Sequence, residues 1–245
     1  MLVTGAWLVL LAASYTAVIH YKGFNAKHVG VTGQSRLTEE MVLRQAGIYP
    51  GENIFKVNLS VARQRLLTLP WIQKAEVVRE LPDKIQIRIH EHEPMAIVDM
   101  NTKYLMNTEG DIFKHVGGEK DELPIISGLS PQDIQVAGRL PMKNESNPHK
   151  AVMNIIKLAK APDSGLPINQ IKRILVDREI GLTLMTSGAA KIIKLGYDNY
   201  PDKIIRLNQV LKYLNEKAHV LNVDTIDLHN INRIVVKPAA QNAHA

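Results

Sequence analysis

With 245 residues, 45% hydrophobic and only 5% aromatic, the chain is long enough for one large or two small domains with a sizeable core. Its net charge of +6 is spread along the chain, which argues against a nucleic-acid groove, since that needs a clustered basic face with aromatics for stacking. The absence of cysteine excludes disulfides, thiol catalysis and Cys-ligated zinc, without fixing the compartment.

Residues 2–19, LVTGAWLVLLAASYTAVI, carry no charge, and the uncharged stretch continues as far as Lys22. A helix needs ~20 such residues to cross ~30 Å of hydrocarbon, so the first 23 residues are expected to form a transmembrane anchor. Trp7 lies inside the span, and Tyr15 and Tyr21 lie toward its end, where aromatic belts form. A cleavable signal peptide, with Leu11-Ala12-Ala13 as a weak cleavage site, is the alternative; the length of the run and the lack of a basic start favour the anchor. Lys22, Lys27 and Arg36 all follow the span with nothing basic ahead of it, so the positive-inside rule alone would put the folded part in the cytoplasm. A basic tail encoded upstream of Met1 would remove that conflict, and mapping the translation start tests it.

Lys27–Thr32 alternates, His28 and Gly30 against Val29 and Val31, and ends at Gly33 as a short strand does. Thr38 then caps a helix: Glu39 and Glu40 load its first turn against the dipole, Leu37 and Val42 form a staple, and Gly47 ends it. After Pro50-Gly51 a second helix opens near Asn58 or Ser60, with Leu59, Ala62, Leu66 and Leu69 as one stripe and Pro70 as its stop. Two strands follow. Ala75, Val77 and Val78 sit among Lys74, Glu76 and Arg79, Leu81-Pro82-Asp83 makes the turn, and Ile85, Ile87 and Ile89 alternate with Gln86, Arg88 and His90. Two strands cannot stand alone in water; two amphipathic helices on one face of a three-stranded sheet supply the missing cover. Pro94 breaks the third strand and sets the expected boundary between a domain at 24–94 and another at 95–238.

In the second domain, Tyr104–Asn107 and Ile112–Val116 flank the turn Thr108-Glu109-Gly110-Asp111, and residues 117–148 read as loop around a short Ile125-Ile126 piece. Asn147-Pro148 starts a helix whose Val152, Ile155, Ile156 and Ala159 face one way, stopped by Pro162. A meander of Ile171–Asp177, Ile180–Thr186 and Ala190–Leu195 leads to a helix from about Pro201 to Lys217, with Ile204, Leu207, Leu211 and Leu214 inward. Strands Thr225–His229 and Asn232–Lys237 close the chain, and residues 239–245 are expected to be a disordered tail. The fold class is therefore α+β: a transmembrane helix, a βααββ domain, then a mixed antiparallel β domain with two helices.

Catalytic signatures are missing: no phosphate-binding Gly-rich loop with Lys, no Ser elbow, no Ser-x-x-Lys and no His-Glu-x-x-His. Ser187-Gly188-Ala189-Ala190-Lys191 comes nearest and is one residue too long. His90 and His92 share one face of a strand, half a metal site at most, and a solvated face is the simpler reading. No enzymatic activity, cofactor or metal is expected. In the last strand Ile234 and Val236 fall on one face and Val235 on the other. Either this is an edge strand whose outward face something covers, or it lies inside the sheet with core on both sides.

Leu69-Pro70-Trp71-Ile72, Ala75, Val77, Leu81-Pro82, Ile87 and Glu91-His92-Glu93-Pro94-Met95-Ala96 resemble the run found in the bacterial cell-division proteins FtsQ and DivIB, and residues 24–94 resemble their POTRA domain. The likeness continues through the Asn107–Phe113 hairpin with Gly110, Leu123-Pro124 before Ser127-Gly128, Leu195-Gly196, and Ile226-Asp227-Leu228. The resemblance implies a single-pass inner-membrane protein with a periplasmic POTRA-plus-β region and no enzymatic role. It implies a scaffold whose β domain takes FtsB- and FtsL-like partners, DivIC in some lineages, while POTRA and anchor help recruitment to the septum. It also implies strand addition at the last strand, with contact at His229, Asn230, Asn232, Arg233, Ile234, Val235, Val236, Lys237 and Pro238. The family's Asp-Leu-Arg-Tyr pattern becomes Asp227-Leu228-His229-Asn230, and Pro238 replaces an aromatic often found after the strand. Outer-membrane assembly and secretion machinery also uses POTRA domains, but it needs a β-barrel of ~10-residue strands, where this chain has two long helices. A peptidoglycan-processing enzyme would need a nucleophile or a metal set.

Overall fold

The computed structural model of the chain describes residues 7, 10, 11, 13, 15, 16, 18–118, 122–134, 147–161, 164–216, 223–230 and 232–239. The expected anchor and the expected tail fall largely outside these residues, as do Pro162 and Lys217, and among the described residues no helix is long and apolar enough to cross a membrane. The chain forms two units, one up to His92 and one from Glu93 onward.

The first unit runs β1 (His28–Thr32), α1 (Glu39–Ala46), α2 (Leu59–Leu66), β2 (Ile72–Glu80) and β3 (Lys84–Glu91). Its sheet has the order β1-β3-β2. β2 and β3 pair antiparallel from Ile72↔Glu91 to Glu80↔Lys84, and β1 lies parallel to β3 from His28↔Lys84 to Thr32↔Arg88. A parallel pair needs a long crossover, and the two helices fill it. Local chemistry sets their ends. The Thr38 hydroxyl accepts the Met41 N–H at 3.2 Å, the Asn58 side chain accepts that of Val61 at 3.1 Å, and Gly47 turns α1 off at φ 69°. α2 stops at Leu66, with Leu67–Leu69 as a turn held by the Leu69 N–H on the Leu66 carbonyl. Leu37 and Val42 are both buried, as a staple requires. Val42, Ala46, Ala62 and Leu66 then close over Ile85, Ile87 and Ile89 in one apolar core.

The second unit is a nine-stranded sheet of order β12-β11-β10-β9-β8-β7-β4-β5-β6. Its strands are β4 (Pro94–Met100), β5 (Thr102–Asn107), β6 (Ile112–His115), β7 (Ile125–Ser127), β8 (Ile171–Asp177), β9 (Gly181–Thr186), β10 (Ala190–Gly196), β11 (Val223–Asp227) and β12 (Val235–Pro238). Helices α3 (Pro148–Ala159) and α4 (Tyr200–Glu216) pack together and close the core, in which Ile155, Ile156, Ile204 and Leu207 meet Ile174, Leu184, Ile193 and Ile226. The Asn147 side chain caps α3 through the His149 N–H at 2.9 Å. The α+β class holds, with both folded units showing the expected helices.

Several elements refine or differ from expectation. Pro94 opens strand β4 instead of simply ending its predecessor; a proline is tolerated at a strand's first residue because no ladder N–H is needed there. The short Ile125-Ile126 piece within the expected loop is strand β7, parallel to both β4 and β8 and joining the two halves of the sheet. Such a strand can be short because pairing and burial on both sides hold it. β11 begins two residues earlier than expected and ends at Asp227, because the Asp227 carboxylate accepts the His229 N–H at 2.9 Å and folds 228–230 into a turn. β12 begins at Val235 instead of Asn232, because the Asn230 side chain and carbonyl accept the N–H groups of Asn232 at 3.0 Å and Arg233 at 3.1 Å.

Candidate partner-binding edge

β12 pairs with β11 alone, antiparallel, from Asp227↔Val235 through Ile226↔Val236 and Thr225↔Lys237 to Val223↔Pro238, with an irregularity between Val223 and Thr225. It is the terminal strand of the sheet, so its other side has no strand against it among the described residues. Of the two readings of the last strand, edge or interior, the fold selects the edge. Ile234 and Val236 are half-buried and pack on the core, while Val235 points the other way and is 53% exposed. Lys237 and Pro238 are exposed, and Lys237 reaches the Asp224 carboxylate only at 4.0 Å, a solvated pair of little energetic weight. An antiparallel strand turns every second residue's N–H and C=O outward, so four residues offer the groups of about two residues to a guest.

His229, Asn230, Asn232 and Arg233 lie in the exposed turn leading into β12. His229 sits where Gly196 leaves room: a Cβ on Gly196 would come within 2.5 Å of His229 Nδ1, and Gly196 has φ +68°. Leu228 is fully buried and its N–H donates to the Lys194 carbonyl at 2.8 Å. Asp227-Leu228-His229-Asn230 is thus a structural turn that sets where β12 starts.

Sequence reasoning placed α4 but gave no role to its outer face, which meets the turn ahead of β12. Asp202, Ile205, Arg206 and Gln209 of α4 line an open cleft of about 450 Å³ together with Asn232 of the turn. The signal was Ile205, an apolar residue off the inner stripe of α4 and 55% exposed. The inner side of the same helix is held by Lys203. Its ammonium is buried and donates to the carbonyls of Leu195 at 2.6 Å and Tyr197 at 2.8 Å, tying the start of α4 to the end of β10. Burial pulls the Lys203 pKa down against the opposing fields of Asp198 and Asp227.

No group of three or more His, Asp or Glu side chains is arranged to hold a metal among the described residues. The family model for the FtsQ-type POTRA domain matches residues 24–92, and that for the cell division protein FtsQ/DivIB C-terminal region matches residues 96–229, ending just ahead of β12. The chain belongs to the FtsQ/DivIB family. It is 28% identical to the cell division protein FtsQ of Geotalea daltonii over 215 residues, 87% of this chain and 76% of that one. It is 27% identical to the FtsQ of Corynebacterium glutamicum over 220 residues, 89% and 93% of the two chains. It is 25% identical to the cell division protein DivIB of Clostridium tetani over 164 residues, 66% and 61% of the two.

Proposed function

We propose that this chain is a scaffold of the bacterial division complex: anchored in the inner membrane by residues 1–23, it exposes a POTRA domain (24–94) and a β domain (95–238) in the periplasm at the septum. It acts by binding and carries out no catalysis. Its partners are FtsB- and FtsL-like membrane division proteins, DivIC in some lineages, and one of them adds a strand to β12. The observation that supports this reading is the side of β12 that no strand among the described residues pairs with, together with the exposed Val235 on the strand's outer face. Each backbone hydrogen bond nets only ~0.5–1.5 kcal/mol, so a four-residue ladder needs more contact to make a stable complex. The cleft of Ile205, Arg206 and Asn232 beside the edge offers that contact to the partner's flanking segment.

The test is Val235→Pro in the full chain, which deletes a backbone N–H and clashes with strand pairing. Co-purification of the FtsB-like protein from membranes is expected to be lost while the circular dichroism spectrum is kept. Full retention of the partner by a folded variant would exclude this edge.

A further inference from the structure

The turn between β1 and the uncharged N-terminal run is a fastened junction. The side-chain amide of Asn53, only 5% exposed, donates to the carbonyls of Ile19 at 2.9 Å and Val18 at 3.2 Å, with that of Tyr21 at 3.5 Å, while its oxygen accepts the Phe55 N–H at 3.0 Å. Residues 18–20 are helical, and the last carbonyls of a helix have no partner of their own, so Asn53 caps that helix from a loop more than thirty residues away (Ile19 to Asn53, a separation of 34). The loop is itself clamped: Arg79 of β2 donates to the carbonyls of Ile54 and Val57 and stacks over Phe55 at 5.9 Å.

Around this junction apolar side chains face outward. Tyr21 is 63% exposed and stands edge-on to Phe24 at 5.4 Å, Phe24 stands edge-on to Phe55 at 5.1 Å, and Phe55 is 38% exposed. The β2–β3 turn lies at the same end of the sheet, since Asp83 accepts the Lys27 N–H, and it carries Leu81 at 69% exposure. Lys27 is paired with Asp83 at 3.1 Å, whereas Lys22 and Lys56 are exposed and make no ion pair among the described residues. Aromatic rings and unpaired lysines at the end of an uncharged run match the headgroup layer of an anionic bilayer.

We propose that Tyr21, Phe55 and Leu81, flanked by Lys22 and Lys56, form a seat that rests on anionic lipid headgroups, with Asn53 as the positioning residue that holds the first unit in that pose. This inference rests on the anchor reading of the N-terminal run. The chain has no native cysteine, so a single introduced cysteine reports cleanly. The experiment reconstitutes the full chain in phosphatidylglycerol–phosphatidylethanolamine vesicles, with a spin label at Tyr49→Cys in the loop beside the seat or at His90→Cys near the far end of β3. Collision accessibility to oxygen and to a nickel chelate gives the depth of each label. The label at 49 is expected at headgroup depth and the label at 90 in water. Asn53→Ala, or Phe55→Ser with Leu81→Ser should the first variant not fold, is expected to move the label at 49 into water by a several-fold rise in nickel accessibility. A label at 49 as open to nickel as the one at 90, in a chain that resists alkaline carbonate extraction, overturns the seat alone. Extraction of the chain by carbonate overturns the anchor and the seat together.

Discussion

The carboxylate of Glu91, the last residue of β3, accepts the backbone N–H of Leu37 at 3.0 Å across 54 residues of chain. The same carboxylate takes the N–H groups of Arg36 at 2.9 Å and Ser35 at 3.2 Å and the Ser35 hydroxyl at 3.1 Å. One side chain thus supplies acceptors for the loop that launches α1, directly ahead of its cap Thr38. Burial pushes this carboxyl up, but the N–H groups of Arg36, Leu37 and Ser35 and the Ser35 hydroxyl outweigh it and hold the pKa below the ordinary value.

Glu91→Ala is therefore expected to destabilise the first unit by roughly 2 kcal/mol, the scale of hydrogen bonds to a charged group, read by urea denaturation. The sign with pH follows from the lowered folded value. The Glu91 contribution is complete above the unfolded carboxyl pKa of ~4.3 and disappears as pH falls through the folded value. Glu91→Gln should accordingly flatten the acid side of the stability profile; an unchanged acid side would remove this role.

Gly110 holds the β5–β6 turn at φ +92°, and a Cβ there would meet His149 Cε1 at 2.8 Å, where the His149 ring bonds the Gly110 carbonyl at 2.9 Å. Asn107 braces the turn by accepting the N–H groups of Glu109 at 3.0 Å and Asp111 at 2.8 Å. Gly110→Ala combines strain with a clash, so a loss of roughly 1–3 kcal/mol is expected in denaturant melts. A neutral outcome would show that α3 shifts freely away from the turn.

Tyr200, at the start of α4, is 6% exposed. Burial, helped by Asp198, pushes its phenol up to about 12. The unfolded phenol ionises near ~10, so between the two values the unfolded state binds fewer protons than the folded state, and stability falls by about 1.4 kcal/mol per pH unit. Tyr200→Phe is expected to remove most of that alkaline slope for the second unit, as followed by thermal melts at rising pH. A slope identical to the parent's would assign the alkaline loss to other groups.

Ile205 and Arg206 on α4 touch solvent in the cleft shared with Asn232 of the turn ahead of β12, and neither belongs to the inner stripe. Ile205→Asp and Arg206→Glu are expected to leave folding stability within ~0.5 kcal/mol while weakening partner capture about tenfold or more, which is ~1.4 kcal/mol. The Arg206→Glu loss should shrink at high salt and the Ile205→Asp loss should not. Equal capture by both variants would confine recognition to the strand itself.

The local chemistry of this chain is legible because its causes lie within a few residues. Thr38, Asn58 and Asn147 bond to N–H groups two or three positions on, Gly47 turns where only glycine does so cheaply, and helical stripes repeat every three or four residues. The family motifs are local strings of the same kind. β4 escaped that reading, and the short Ile125-Ile126 piece gave no sign of its place in the sheet, because a buried strand is held by partners far away in sequence: Ile125 pairs with Ile97 on one side and Arg173 on the other. Nothing within the Pro94 neighbourhood distinguishes a strand from a loop until such partners arrive. Glu91 is the same case, an acid on a solvated strand face until the 35–37 loop folds onto it. β12 is the sharpest instance. Alternation of Ile234, Val235 and Val236 was visible, but whether Val235 met a neighbouring strand or solvent depended on the order of nine strands. Strand order is settled by long-range pairing and burial, which only the tertiary structure supplies.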